Sequence, residues 1–98
     1  GAALVAGVDT GPLHLAAARG SEDVVALLLQ RRVALDGQNQ FGDTPLIGAA
    51  RGGHAAVCDL LLRAGADRKL RNGDRMSAEE AAELRGFTTL AQRVANAR

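Results

Sequence analysis

The feature that most limits what this chain can fold into is a self-similarity at 33 residues. Displacing the sequence by that amount puts Pro12 on Pro45, Leu13 on Leu46, Ala16 and Ala17 on Ala49 and Ala50, Gly20 on Gly53, and Val24 on Val57. It also puts Leu27, Leu28 and Leu29 on Leu60, Leu61 and Leu62. A second displacement lands Thr44 on Ser77, Ala49 on Ala82, Gly53 on Gly86, Val57 on Leu90 and Leu61 on Val94. A period of this length means a stack of similar supersecondary units, none able to bury its apolar face alone. A globular chain of 98 residues would bury only a modest core, whereas a stack gains stability with every interface it adds.

Local signals place the elements. Pro12 suits a first helical turn, where its missing N–H costs nothing. Leu13, Ala16 and Ala17 recur at i, i+3 and i+4, giving a short helix that Arg19-Gly20 closes. Ser21 is placed to cap a second helix, with Glu22 and Asp23 complementing its dipole and Val24, Leu27 and Leu28 as its apolar stripe. Arg31 and Arg32 end it. The residue matching Arg32 one period later is Gly65, which takes the left-handed conformation freely, so Arg32 should be strained by roughly 1 kcal/mol or turned differently. The next pair spans about 45–51 and 55–64, and Ser77 with Glu80 forms a capping box for the third. The outer helix of that last pair should run from about Thr88 to Ala97. Polar residues there, among them Glu79, Glu80, Glu83, Arg85, Gln92 and Arg93, read as a C-terminal cap.

The run Thr44-Pro45-Leu46, followed by Ala49-Ala50, Gly53-His54, Val57, Leu60-Leu61-Leu62 and Gly65-Ala66-Asp67, resembles the ankyrin repeat. The resemblance implies an all-α solenoid of stacked antiparallel helix pairs joined by β-hairpin fingers. It divides the chain into a repeat over 9–40, a second over 41–73 and a capping repeat over 74–98. Residues 1–8 are then either the remnant of a preceding repeat or a makeshift N-terminal cap. Leu13, Leu15 and Ala16 to Ala18 are unusually apolar for a terminal unit, which favours excision from a longer array with further repeats upstream. The family pairs a Thr opening the inner helix with a His three positions on; here the pair is split. Gly11 precedes His14 in the first repeat, and Thr44 precedes Ile47 in the second, a loss of about 0.5–1.5 kcal/mol per missing hydrogen bond.

No catalytic, cofactor or metal constellation accompanies this pattern. His14 and His54 fall at helix starts and lack a ligand partner at metal spacing. The single Cys58 precludes an internal disulfide and aligns with Val25 on an apolar stripe, so it reads as a small buried hydrophobe in a reducing, intracellular setting. There is no run of apolar residues long enough to cross a membrane. Twelve Lys and Arg against eleven Asp and Glu give no general pull toward nucleic acid or an anionic membrane.

The resemblance therefore implies a non-enzymatic protein-interaction module, a scaffold or adaptor that takes a partner segment in its concave groove. The family's concave face is lined by finger tips and inner helices. Carried onto this chain, it nominates Arg19, Arg51 and Arg85 on the helices, with Gln38, Gln40, Phe41 and Asp43 on one finger. Arg71, Asp74, Arg75 and Met76 lie on the other. An Arg column would favour an acidic partner, unless these are solvated helix-end residues. Nucleic-acid or phosphate binding through that column, or a regulatory role in a larger enzyme, are the alternatives. Phe41 either anchors an interface or packs back on its finger. Gly48 either leaves a notch on the concave face or permits close backbone packing, at about 1 kcal/mol relative to Ala.

Overall fold

The structure is a computed structural model that describes the backbone of residues 2–97 and the side chains of residues 11–97. Six helices follow one another: α1 (Ala2–Arg19), α2 (Glu22–Gln30), α3 (Pro45–Arg51), α4 (Ala55–Ala64), α5 (Ala78–Leu84) and α6 (Thr88–Ala95). Helices α1, α3 and α5 pack in one row and α2, α4 and α6 in a second, each pair closed by a turn. The result is elongated, 40 × 27 × 23 Å. Small residues at Ala17, Ala49, Ala50 and Ala82, all fully buried, let neighbouring inner helices approach closely, while Leu13, Leu46, Leu61 and Val94 fill the space between the rows.

The turns repeat with the sequence. Gly20, Gly53 and Gly86 hold φ of 73°, 77° and 84°, the left-handed conformation that a side chain resists. His54 stacks over Gly20, and Phe87 stacks over Gly53; a Cβ on either glycine would stand within 2.8 Å of the ring above it. Each repeat thus seals the turn of the repeat before it. The strain expected at Arg32 is present: its φ is 56°, against 104° at Gly65. Ser77 and Glu80 form the capping box, with Glu80 Oε1 accepting from the Ser77 N–H at 3.0 Å.

Several expectations are corrected. Helix α1 begins at Ala2, so Pro12 lies inside it rather than at its first turn. The Ala-rich run 2–6 has high helix propensity even without amphipathic periodicity. How the side chains of residues 2–8 would cap the stack lies outside the described residues. Ser21 precedes α2 but makes no side-chain cap bond. The buried residue of α2 is Val25, while Val24 and Leu27 are about half exposed. Of their counterparts, Val57 is buried and Leu60 partly buried because α2 lies beside α4, and no described helix stands beside α2 in the same way.

The fingers are tight turns; no strand occurs among the described residues. Asn39 and Asn72, one period apart, build them identically. Asn39 Oδ1 accepts from the N–H groups of Phe41 (2.9 Å) and Asp43 (3.1 Å), and Asn72 Oδ1 from those of Asp74 (2.8 Å) and Met76 (3.0 Å). Donors that would pair two strands are instead satisfied by a side chain. Adjacent fingers are tied by Gly73 N–H donating to the Phe41 carbonyl at 3.0 Å.

Candidate binding face

The inner helices and the finger tips form one face, and its centre is Asp43. This residue ends the first finger just before Thr44, whose Oγ1 accepts from the Ile47 N–H to cap α3. The Asp43 carboxylate is buried and accepts both prongs of the Arg51 guanidinium at 2.8 Å, plus the Asn72 amide at 2.9 Å. The Asp43 carbonyl accepts from His14 Nε2 at 2.7 Å. One residue therefore joins α1, α3 and both fingers. Burial would raise its pKa, but the hydrogen bonds from Arg51 and Asn72, with the charges of Arg51 and His14, outweigh that and hold it below the ordinary carboxylate range.

Asp43 is largely buried and acts as an internal strut that also lines both clefts of this face, and Arg51 is its mate with 39% of its side chain exposed. The three nominated Arg do not share one register position. Arg51 occupies the register of Ala18 and Leu84, whereas Arg19 and Arg85 share theirs with Gly52. Gln38 spends its amide on the Gly42 and Arg71 carbonyls, both at 2.8 Å, bridging the fingers. Arg71 faces Glu80 at 3.4 Å and donates to the Arg75 carbonyl. Arg75 is exposed and held at φ 63°, in the register where the first finger has Gly42. Arg19 and Gln40 are exposed but border neither of the clefts described next.

Two clefts open on this face. The larger, about 370 Å³, lies between the second finger and α5 and is bordered by Phe41, Asp74, Met76, Ala81, Leu84 and Arg85. Phe41 is 66% exposed and Leu84 70%, so the ring does not pack back on its finger. The smaller, about 220 Å³, runs over Gly48 and Gly52 beside Ala18, with Arg51 and Arg85 bordering both clefts.

The remaining reactive groups serve the fold. His54 Nε2 donates to the Ala18 carbonyl at 2.9 Å, so both imidazoles hold backbone of a neighbouring unit. Burial, aided by the Asp59 charge, pushes the Cys58 thiol up to about 12, which leaves no thiolate at neutral pH. Among the described residues no cluster of His, Cys, Asp and Glu could hold a metal ion. No described helix is long and apolar enough to cross a membrane.

Sequence reasoning passed over Asn39 and Asn72 as finger builders and His14 as an inter-repeat tie. The signal was available, since the two Asn coincide under the 33-residue displacement.

Comparison with known proteins adds four findings. The family model described as ankyrin repeats (3 copies) matches residues 3–72. The probable E3 ubiquitin-protein ligase XBOS33 of Oryza sativa subsp. japonica is 45% identical over 51 residues, 52% of this chain and 10% of that protein. Ankyrin repeat and KH domain-containing protein 1 of Homo sapiens is 46% identical over 55 residues, 56% of this chain and 2% of that protein. Osteoclast-stimulating factor 1 of Xenopus laevis is 44% identical over 51 residues, 52% of this chain and 24% of that protein. The chain thus spans a quarter or less of the length of each of these relatives.

Proposed function

This chain belongs to the ankyrin-repeat family, and from that premise we propose that it is a non-catalytic recognition module that holds a segment of a partner protein against its clefted inner face. Repeats of this family generally mediate protein–protein interaction. The observation that carries the reading here is the larger cleft, with Phe41 and Leu84 standing largely exposed on its borders. Large apolar side chains exposed together beside a concavity mark an interaction surface. The relatives carry comparable segments as small parts of longer proteins, which supports a role as the module that brings a partner to an activity housed elsewhere. A free, buried Cys58 fits a reducing, intracellular setting. Phosphate or nucleic-acid binding loses support because its basic column lacks a middle: Arg51 is neutralised by Asp43.

Site-specific photocrosslinking tests this. A benzophenone amino acid at Phe41 or Leu84 should give partner adducts in lysate, and the same group at Arg63 or Gln92, exposed on the outer helices, should not. Adducts arising only from the outer positions would overturn the reading.

A further inference from the structure

Gly48 is the residue on this face that the fold does not explain. Its backbone is ordinary helix, without the positive φ that requires glycine elsewhere in the chain. A Cβ built there would meet nothing closer than the Ala18 Cβ at 3.8 Å, which is comfortable contact. Gly52 is the contrast, because a Cβ on it would stand 2.6 Å from the His54 ring. In the same register the first repeat carries Leu15 and the third Ala81, so the position accepts side chains. Glycine at this point of α3 weakens the helix without relieving any crowding, and what it leaves is the floor of the smaller cleft.

Charge on the face is equally uneven. Two carboxylates act on Arg51: Asp43 by hydrogen bonds and Asp74 through space. Arg85 borders both clefts and has no ion pair among the described residues. Next to it the larger cleft has an apolar side formed by Phe41, Met76, Ala81 and Leu84, facing a polar side of Asp43, Arg51, Asn72 and Asp74, where the acidic groups lie with Arg51. Its volume of about 370 Å³ is at the small end of ligand-sized pockets, roughly 300–1,000 Å³, and suits one or two side chains better than a flat domain surface.

Resting on the recognition reading above, we propose that the occupant is an extended peptide segment that carries a bulky apolar side chain close to a carboxylate. The apolar side chain fills the larger cleft against Phe41, Met76 and Leu84. The carboxylate is taken by the Arg85 guanidinium, which matches it in a forked geometry that Lys does not offer. A neighbouring part of the segment lies in the notch over Gly48. An extended chain advances roughly 3.3 Å per residue, so apolar and acidic positions should fall within about three of each other.

The test pans a displayed random peptide library on the whole chain, then measures one enriched peptide by fluorescence anisotropy against Arg85→Glu and Gly48→Leu. The second substitution restores the side chain that Leu15 provides in the first repeat. Enriched sequences should pair Leu, Ile, Met or Phe with Asp or Glu. Arg85→Glu should weaken the peptide by about tenfold or more, as loss of a charge-assisted hydrogen bond does. Panning the Arg85→Glu protein should enrich Lys or Arg in place of the acid. Gly48→Leu should weaken the peptide while the melting temperature stays the same or rises. Enrichment without an acidic position, or affinities within about twofold of wild type in both variants, overturns this inference and leaves the recognition reading standing. No enrichment over the starting library overturns both.

Discussion

Replacing Asp43 by Ala tests the internal frame on which the proposed binding face hangs. The substitution removes three hydrogen bonds, two from Arg51 and one from Asn72, but leaves the main-chain bonds of residue 43 in place. The magnitude lies between two limits. An exposed ion pair contributes about 0–1 kcal/mol, and breaking a fully buried one costs about 3–5 kcal/mol. Here the carboxylate is 6% exposed and the guanidinium 39%, so the orphaned Arg51 can turn to water whereas Asn72, 8% exposed, cannot easily do so. We expect about 2–3 kcal/mol, read as a lower urea midpoint at unchanged slope, followed by circular dichroism. A double-mutant cycle with Arg51→Ala should return a coupling of about 1 kcal/mol or more. The pH dependence has a fixed sign. The folded pKa is depressed, so the contribution is complete above the unfolded value of about 3.9 and disappears as pH falls through the lower folded value. The gap between wild type and Asp43→Asn should therefore close below about pH 4. A loss under about 0.5 kcal/mol, or a gap that widens in acid, would refute the account.

Three further outcomes follow from the backbone and the core. Arg32→Gly and Arg75→Gly should each stabilise the chain by about 0.5–1 kcal/mol in urea unfolding, since relief of about 1–2 kcal/mol of left-handed strain exceeds the added unfolded-state freedom. Gly65→Ala should cost only about 1 kcal/mol, because its Cβ would enter open space. Gly42→Ala should cost about 2–4 kcal/mol, because its Cβ would lie 2.6 Å from the Gly73 nitrogen and force the fingers apart; similar losses would contradict the finger packing. Cys58 should resist iodoacetamide at pH 8 in the native protein and react fully in denaturant, and rapid native labelling would contradict its burial and a thiol pKa of about 12.

The repeat made most of the fold readable in advance. Pro45–Arg51 and Ala55–Ala64 were delimited by Thr-Pro at one end and Gly at the other, and the strain at Arg32 followed from its alignment with Gly65. Periodicity misled where burial depends on a neighbour: Val24 aligns with buried Val57, yet it is about half exposed because nothing described stands beside α2 as α2 stands beside α4. The candidate face was less legible. Of the nominated residues, Phe41, Asp43, Arg51, Asp74, Met76 and Arg85 border the larger cleft, but Leu84 was overlooked beside its Arg neighbour. Arg51 and Asp43 looked like two exposed charges. Only their spacing in the fold, eight residues apart in sequence and joined at 2.8 Å, turns them into one internal pair. A helix-end Arg carries no local mark that says whether it faces solvent or a buried carboxylate. Asn72 could be aligned with Asn39, but its second role as donor to Asp43 belongs to the stacking of the fingers.

The central claim is that the inner helices and finger tips, not the outer helices, are the recognition surface. Backbone amide chemical shifts recorded while one library-selected peptide is titrated into the labelled chain test it most directly. The account predicts that the shifted amides cluster at Phe41, Gly48, Asp74, Met76 and Arg85, with α2, α4 and α6 unmoved; shifts confined to those outer helices would contradict it.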